Sequence, residues 1–121
     1  MSYPIIWYTS EIESEEHKIW YEVLREKCHY NVVVLADAAN LIDMVKRMNG
    51  YRGNSCVLIV SGANKKQLMQ QLDIDEHKGI QKAIIFCQDT QPHQKWTKKY
   101  KKLANGDDVV NEFGKVLEIL E

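Results

Sequence analysis

Three runs of bulky apolar residues constrain this chain more than any other feature: Val32-Val33-Val34-Leu35-Ala36, Cys56-Val57-Leu58-Ile59-Val60 and Ala83-Ile84-Ile85-Phe86-Cys87. None of them alternates apolar with polar residues. A strand with one wet face shows that alternation, so these runs read as strands covered on both faces. A fourth run, Pro4-Ile5-Ile6-Trp7-Tyr8, is β-branched and aromatic and reads as a strand too. Strands buried on both faces belong to parallel sheets, and parallel neighbours need long right-handed crossovers between them.

The intervening stretches have helical spacing. Ser10 stands three residues before Glu13, with Ser14 as a second candidate cap, ahead of a stripe of Ile12, Ile19, Trp20, Val23, Leu24 and Cys28. Glu11, Glu13, Glu15 and Glu16 crowd the start of that helix, where they oppose the positive end of its dipole. Asn40 is placed to cap a second helix with Leu41, Met44, Val45 and Met48 inward, ended by the Asn- and Gly-rich segment 49–54. Asn64 opens a short third helix carrying Leu68, Met69 and Leu72, followed by a polar loop from Asp73 to Gly79. Pro92 suits a first helical turn, and Trp96, Tyr100 and Leu103 then form an inward stripe. Asn105-Gly106 breaks the chain, and Asp107 or Asp108 opens a last helix burying Val109, Val110, Phe113, Val116, Leu117 and Leu120.

The order is βαβαβαβα, a weak fifth strand expected around Tyr100 to Leu103, and a closing helix. With 121 residues there is room for one core, so 1–121 is read as a single domain. The economical architecture is a three-layer α/β/α sandwich of flavodoxin-like type, a parallel sheet of four to five strands in the order 2-1-3-4-5. That order makes the crevice between the first and third strands the topological switch point, where ligands of such sheets bind.

The strand ends supply Thr9-Ser10-Glu11, Asp37, Ser61-Gly62 and Cys87-Gln88-Asp89. The first turn has no glycine and puts carboxylates where a pyrophosphate would sit, which excludes a dinucleotide fingerprint. No G-x-x-x-x-G-K-[ST] motif occurs. Thr9-Ser10 is a faint, acidic version of a flavin phosphate loop. The candidate pocket therefore comprises Thr9, Ser10, Glu11, Ser61, Gly62 and Gln88, with no cofactor and no metal expected in it.

The runs PIIWYTSE, NVVVLADAANLIDMV, CVLIVSG and KAIIFCQD resemble, in rhythm and over nearly the whole chain, the receiver domains of two-component response regulators. That resemblance implies an acidic pair after the first strand for Mg²⁺ and a phosphoacceptor Asp at the end of the third. It also implies a Ser or Thr after the fourth and a Lys after the fifth. Here Ser10-Glu11 stands at the acidic pair, Ser61 at the acceptor, and Cys87 or Gln88 near the hydroxyl, with Thr90 close by. A serine hydroxyl does not replace a carboxylate that forms an acyl phosphate, and one Glu is a poor Mg²⁺ site. The resemblance thus implies a pseudo-receiver without catalysis, working through protein contacts on the face of its fourth helix, fifth strand and fifth helix, here Trp96 to Lys102 and the exposed side of Asp107 to Glu121. A weaker resemblance, to Toll/interleukin-1 receptor (TIR) domains, rests on Trp7-Tyr8-Thr9-Ser10-Glu11 and Val60-Ser61. Some TIR domains cleave NAD with a Glu in the next helix, whereas Gly62 to Leu68 holds no carboxylate here.

Lys95, Lys98, Lys99, Lys101 and Lys102 interleave with Trp96 and Tyr100 as a basic patch. Helical spacing turns the two rings inward and leaves the lysines on a solvated face, so Lys95, Lys98, Lys99 and Lys102 are a candidate partner surface rather than a nucleic-acid site. The formal charge of −1 gives no global field for nucleic acid or membrane. The acidic cluster Glu11 to Glu16 opposes the lysine patch, and such polarity suits a protein partner through steering. The partner is expected to be another protein or other domains of a larger parent chain, with a homodimer as the further option. Trp7 and Trp20 are expected in the core. Histidines 17, 29, 77 and 93 lie in four separate segments and are expected at the surface. Three cysteines, Cys28, Cys56 and Cys87, form no disulfide framework or zinc motif, and with no signal-peptide pattern a reducing, cytoplasmic setting is expected.

Overall fold

The computed structural model describes residues 4–9, 13–27, 31–48, 55–61, 64–87, 91–103 and 109–120. In chain order these form β1 (Ile5–Tyr8), α1 (Glu15–Lys27), β2 (Val32–Leu35), α2 (Ala38–Lys46), β3 (Cys56–Val60), α3 (Lys65–Leu72), β4 (Ile80–Phe86), α4 (Gln91–Thr97), a 3₁₀ turn (Lys101–Leu103), β5 (Val109–Val110) and α5 (Phe113–Leu120). The sheet order is β2-β1-β3-β4-β5, and every pairing is parallel.

Alternation along each strand divides the interior into two cores. Ile6, Tyr8, Leu58, Val60 and Ile85 face one way and meet Leu41, Val45, Leu68, Met69 and Trp96 of α2, α3 and α4. Ile5, Trp7, Ile59, Ile84 and Phe86 face the other way and meet Leu24, Phe113 and Val116 of α1 and α5. Each inner strand is therefore buried on both faces, which is why its sequence lacks polar alternation. The expectation fails for β2, which lies at the sheet edge with only Val32 buried and Val33 40% exposed. The three-layer sandwich expected from the sequence is the observed one.

Several local expectations are corrected. The fifth strand is not at Tyr100–Leu103. That segment makes a 3₁₀ turn whose backbone N–H groups at Lys101 and Lys102 are held by Asp75 Oδ2 and Oδ1 at 2.9 and 3.0 Å. Val109 and Val110, read as helical, instead pair with Ile85 and Phe86, and the last helix begins at Phe113. A β-branched pair beside an open sheet edge gains more from that edge than from a helical turn. Helix α2 starts at Ala38, so Asn40 lies inside it. Asp37 is the cap, its Oδ1 accepting from Ala39 N at 2.8 Å. In α1, Leu24 and Trp20 pack inward as the stripe has them, but Ile19 is 63% exposed and Val23 38%, and His17 is buried in their stead. The Ser10 capping signal, Ile12, Cys28, the turn at 49–54 and the break at Asn105-Gly106 lie outside the described residues.

Candidate functional site

The C-terminal ends of β1 and β3 define the switch point. Tyr8 pairs with Val60, and Ser61 N donates to Tyr8 O at 2.8 Å, which carries the parallel register one step past both strands. Period-2 alternation sends Trp7 to the α1/α5 side, where it is 1% exposed. Its indole Nε1 donates to Ser61 Oγ at 3.0 Å, and Ser61 Oγ in turn donates to Tyr8 O at 3.3 Å. The serine hydroxyl thus uses its one proton and one of its lone pairs within the fold. Thr9, 1% exposed, donates its backbone N–H to Leu35 O at 3.0 Å. Of the expected pocket, then, Thr9 and Ser61 stand at neighbouring strand ends. Ser10, Glu11, Gly62 and Gln88, like Asp89 and Thr90, lie outside the described residues.

An aromatic stack covers the far side of Trp7. His17 stacks on it with centroids 5.2 Å apart and 18° between planes, Phe113 lies 6.0 Å away, and Trp20 bridges to Phe113 at 5.1 Å. His17 is buried, not at the surface as its sequence context suggests. The reason is local: Ser14 Oγ accepts from His17 N at 3.1 Å, starting the helix, and bonds His17 Nδ1 at 2.8 Å, satisfying the ring so that it can be buried. The S-x-x-H spacing from Ser14 to His17 was the available signal for this residue.

The opening beside this stack lies on the β2 side of β1. A cavity of about 250 Å³ is lined by Trp7, Thr9 and Val34 from the strand ends and by Glu13, His17, Lys18 and Tyr21 from the start of α1. Its walls are mostly apolar, and Glu13 and Lys18 bring opposite charges to it. The other two described histidines serve the backbone and a ring: His77 Nδ1 accepts from Gly79 N at 3.0 Å and His93 Nδ1 accepts from Trp96 Nε1 at 3.0 Å. Among the described residues no three His, Cys, Asp or Glu side chains gather as a metal site would require.

The lysine patch divides. Lys95, Lys98 and Lys99 are exposed around buried Trp96 and half-buried Tyr100. Lys102 is half-buried, and its Nζ donates to His77 O at 2.7 Å, tying the 3₁₀ turn to the loop before β4. Burial lowers the Lys102 pKa, while Asp75, Glu76 and Cys56 pull it the other way. Beneath it, burial pushes the Cys56 thiol up to about 11, with a smaller opposing pull from Lys102.

No family model, curated protein or solved structure matches this chain. Its function is therefore argued from these residues.

Proposed function

We propose that this protein is a non-catalytic, receiver-like module that acts by binding another protein. The observation that carries the reading is the Trp7–Ser61–Tyr8 chain. Where a receiver presents a free carboxylate at the end of its third strand, this fold has a hydroxyl engaged by an indole N–H and a main-chain carbonyl. To attack a phosphoryl donor, that hydroxyl would have to give up the proton it donates to Tyr8 O, and a main-chain carbonyl is no general base. The partner surface in this reading is the exposed face of α4 and its following turn, Lys95, Lys98 and Lys99 set around the buried Trp96. Such a face suits an acidic partner, with charge steering the encounter.

The test is a titration of the isotope-labelled protein with Mg²⁺ and beryllofluoride, following backbone amides. The expected result is no saturable shift at Thr9, Trp7 or Ser61. Saturable shifts centred on those residues would establish an occupied phosphoryl site and overturn the reading.

A small-molecule reading has one observation in its favour, the cavity of about 250 Å³ against Trp7 and His17. It is not the β1/β3 crevice, where the Trp7–Ser61 hydrogen bond lies. The cavity falls below the ~300–1,000 Å³ of sites for drug-sized ligands, so a small planar apolar molecule fits it better than a nucleotide or flavin. Thermal-shift screening separates the two readings, since ligand at 100 times its Kd adds ~2.7 kcal/mol of stability.

A further inference from the structure

The cavity beside the aromatic stack has charges that its apolar walls do not explain. Helical spacing brings His17, Lys18 and Tyr21 to it from α1, and Trp7, Thr9 and Val34 close it from the ends of β1 and β2. Two of its polar residues are already engaged: Thr9 N donates to Leu35 O, and His17 Nδ1 bonds Ser14 Oγ. Tyr21 has the Arg25 guanidinium 5.4 Å from its ring centroid. Glu13 and Lys18 differ from these. Both are exposed, and among the described residues neither side chain makes a hydrogen bond or ion pair, with the other or with anything else.

We propose, resting on the small-molecule reading of this cavity, that it binds a free aromatic α-amino acid. The ligand's side chain lies among Trp7, His17, Tyr21 and Val34, its ammonium meets Glu13, and its carboxylate meets Lys18. Three rings line a space of about 250 Å³. Aromatic pairs gain from offset or edge-to-face contact beyond the area they bury, so such walls favour a ring over an aliphatic chain. The space is below that of drug-sized sites, which suits a ligand with a single ring system.

The two unpaired charges select the polar end. A simple cation drawn to Glu13 is repelled by Lys18, and a simple anion drawn to Lys18 is repelled by Glu13. A zwitterion satisfies both. In an α-amino acid the ammonium, the carboxylate and the apolar side chain all branch from one carbon, which matches two opposite charges beside one apolar space. Because Glu13 and Lys18 are exposed, the ligand's charged end stays in contact with water, and the cost of desolvating a buried ion pair is largely avoided. A nucleobase or a flavin ring offers neither charge, and a peptide carries its two terminal charges on different residues.

The experiment titrates the isotope-labelled full chain with four probes while backbone amides are followed. They are L-tryptophan, L-tryptophanamide (no carboxylate), indole-3-propionate (no ammonium) and indole (neither charge). L-Tryptophan is expected to shift Thr9, Glu13, Lys18 and Val34 saturably, with a Kd on the order of 1 mM, the scale for so small a ligand. Each probe lacking one charge should bind ~3- to 5-fold more weakly, and indole weakest of all. Glu13→Gln should weaken L-tryptophan and the amide by a similar factor and spare the propionate. Lys18→Met should weaken L-tryptophan and the propionate and spare the amide. Far-UV circular dichroism checks that both variants are folded. No saturable shift at these residues with any probe up to ~10 mM, ten times the expected Kd, would sink the small-molecule reading and the proposal with it. Indole binding as tightly as L-tryptophan, with L-tryptophan indifferent to folded Glu13→Gln and Lys18→Met, would keep that reading and overturn the proposal alone. A response to only one of the two charges would overturn it too, since the ligand would then be an ion of one sign.

Discussion

Ser61 receives the Trp7 indole N–H and passes its own proton to the Tyr8 carbonyl, so a single hydroxyl holds two strand ends and the central ring of the aromatic stack. Removing it leaves a buried N–H without its partner, and an orphaned buried donor costs about 1–3 kcal/mol. Ser61→Ala should therefore lose about that much in urea denaturation. Trp7→Phe made in the Ser61→Ala background should cost less than the same change in the wild type, because the orphan leaves with the indole. Equal costs in both backgrounds would mean the hydrogen bond contributes nothing. Cys56 gives a second residue-level test, through pH. Burial raises its thiol from an ordinary 9.0 to about 11, so the unfolded chain gives up this proton first as pH rises. The stability carried by the neutral thiol is complete below pH 9 and is lost between 9 and about 11, in all about 2–3 kcal/mol. Lys102, lowered by burial, and Tyr100, raised by burial and then by Asp75 and Asp73, also shift at alkaline pH. The quantity to measure is therefore the stability difference between wild type and Cys56→Ala, which should move against the wild type across that window. A flat difference from pH 8 to 11 would remove the thiol from the account.

At the scale of elements, caps and edges decide what periodicity leaves open. The sequence offers Asn40 to start α2, whereas the structure gives the role to Asp37. Asp37→Ala should cost about 1 kcal/mol in thermal or urea unfolding, while Asn40→Ala, now inside the helix, should be neutral or stabilising by a few tenths. The reverse order would restore Asn40 as the cap. The buried runs of β1, β3 and β4 were legible because burial on both faces writes itself into consecutive apolar residues, as in Cys56 to Val60. β5 was not, because Val109-Val110 is two residues long, too short for any period, and its strand form depends on meeting Ile85 and Phe86. The α1 stripe was misread for a related reason. Ile19 and Val23 have the right spacing to be inside, yet the inner face joins His17 to the expected Leu24, because His17 is drawn in by Ser14 and the Trp7 ring. Sequence reasoning placed Thr9 and Ser61 at adjacent strand ends correctly. It could not see that Trp7 would reach Ser61, since that contact spans 54 positions.

At the scale of the molecule, one aromatic assembly joins elements far apart in the chain. Trp7 of β1, His17 and Trp20 of α1, Phe86 of β4 and Phe113 of α5 lie within successive centroid distances of 5.0 to 6.5 Å. α5 is only eight residues long, too short to be stable alone, so it is held by what Phe113 and Val116 bury. Truncating Phe113 in such a site costs about 3–5 kcal/mol, a large share of the ~5–15 kcal/mol that stabilises a domain. If the two cores on either side of the sheet fold as one unit, Phe113→Ala must lower both together. Two tryptophans of this assembly report on the α1/α5 core, Trp96 reports on the opposite one, and far-UV circular dichroism reports on both. In urea, Phe113→Ala should shift the tryptophan fluorescence and dichroism midpoints to lower denaturant by the same amount, keeping the transitions coincident. A fluorescence transition that runs ahead of the dichroism, and is abolished by Trp7→Phe and Trp20→Phe, would instead make the α1/α5 layer a separately opening unit. The shared strands argue against that outcome: Ile6 and Trp7 are consecutive, each buried in a different core, and neither core can lose β1 without the other.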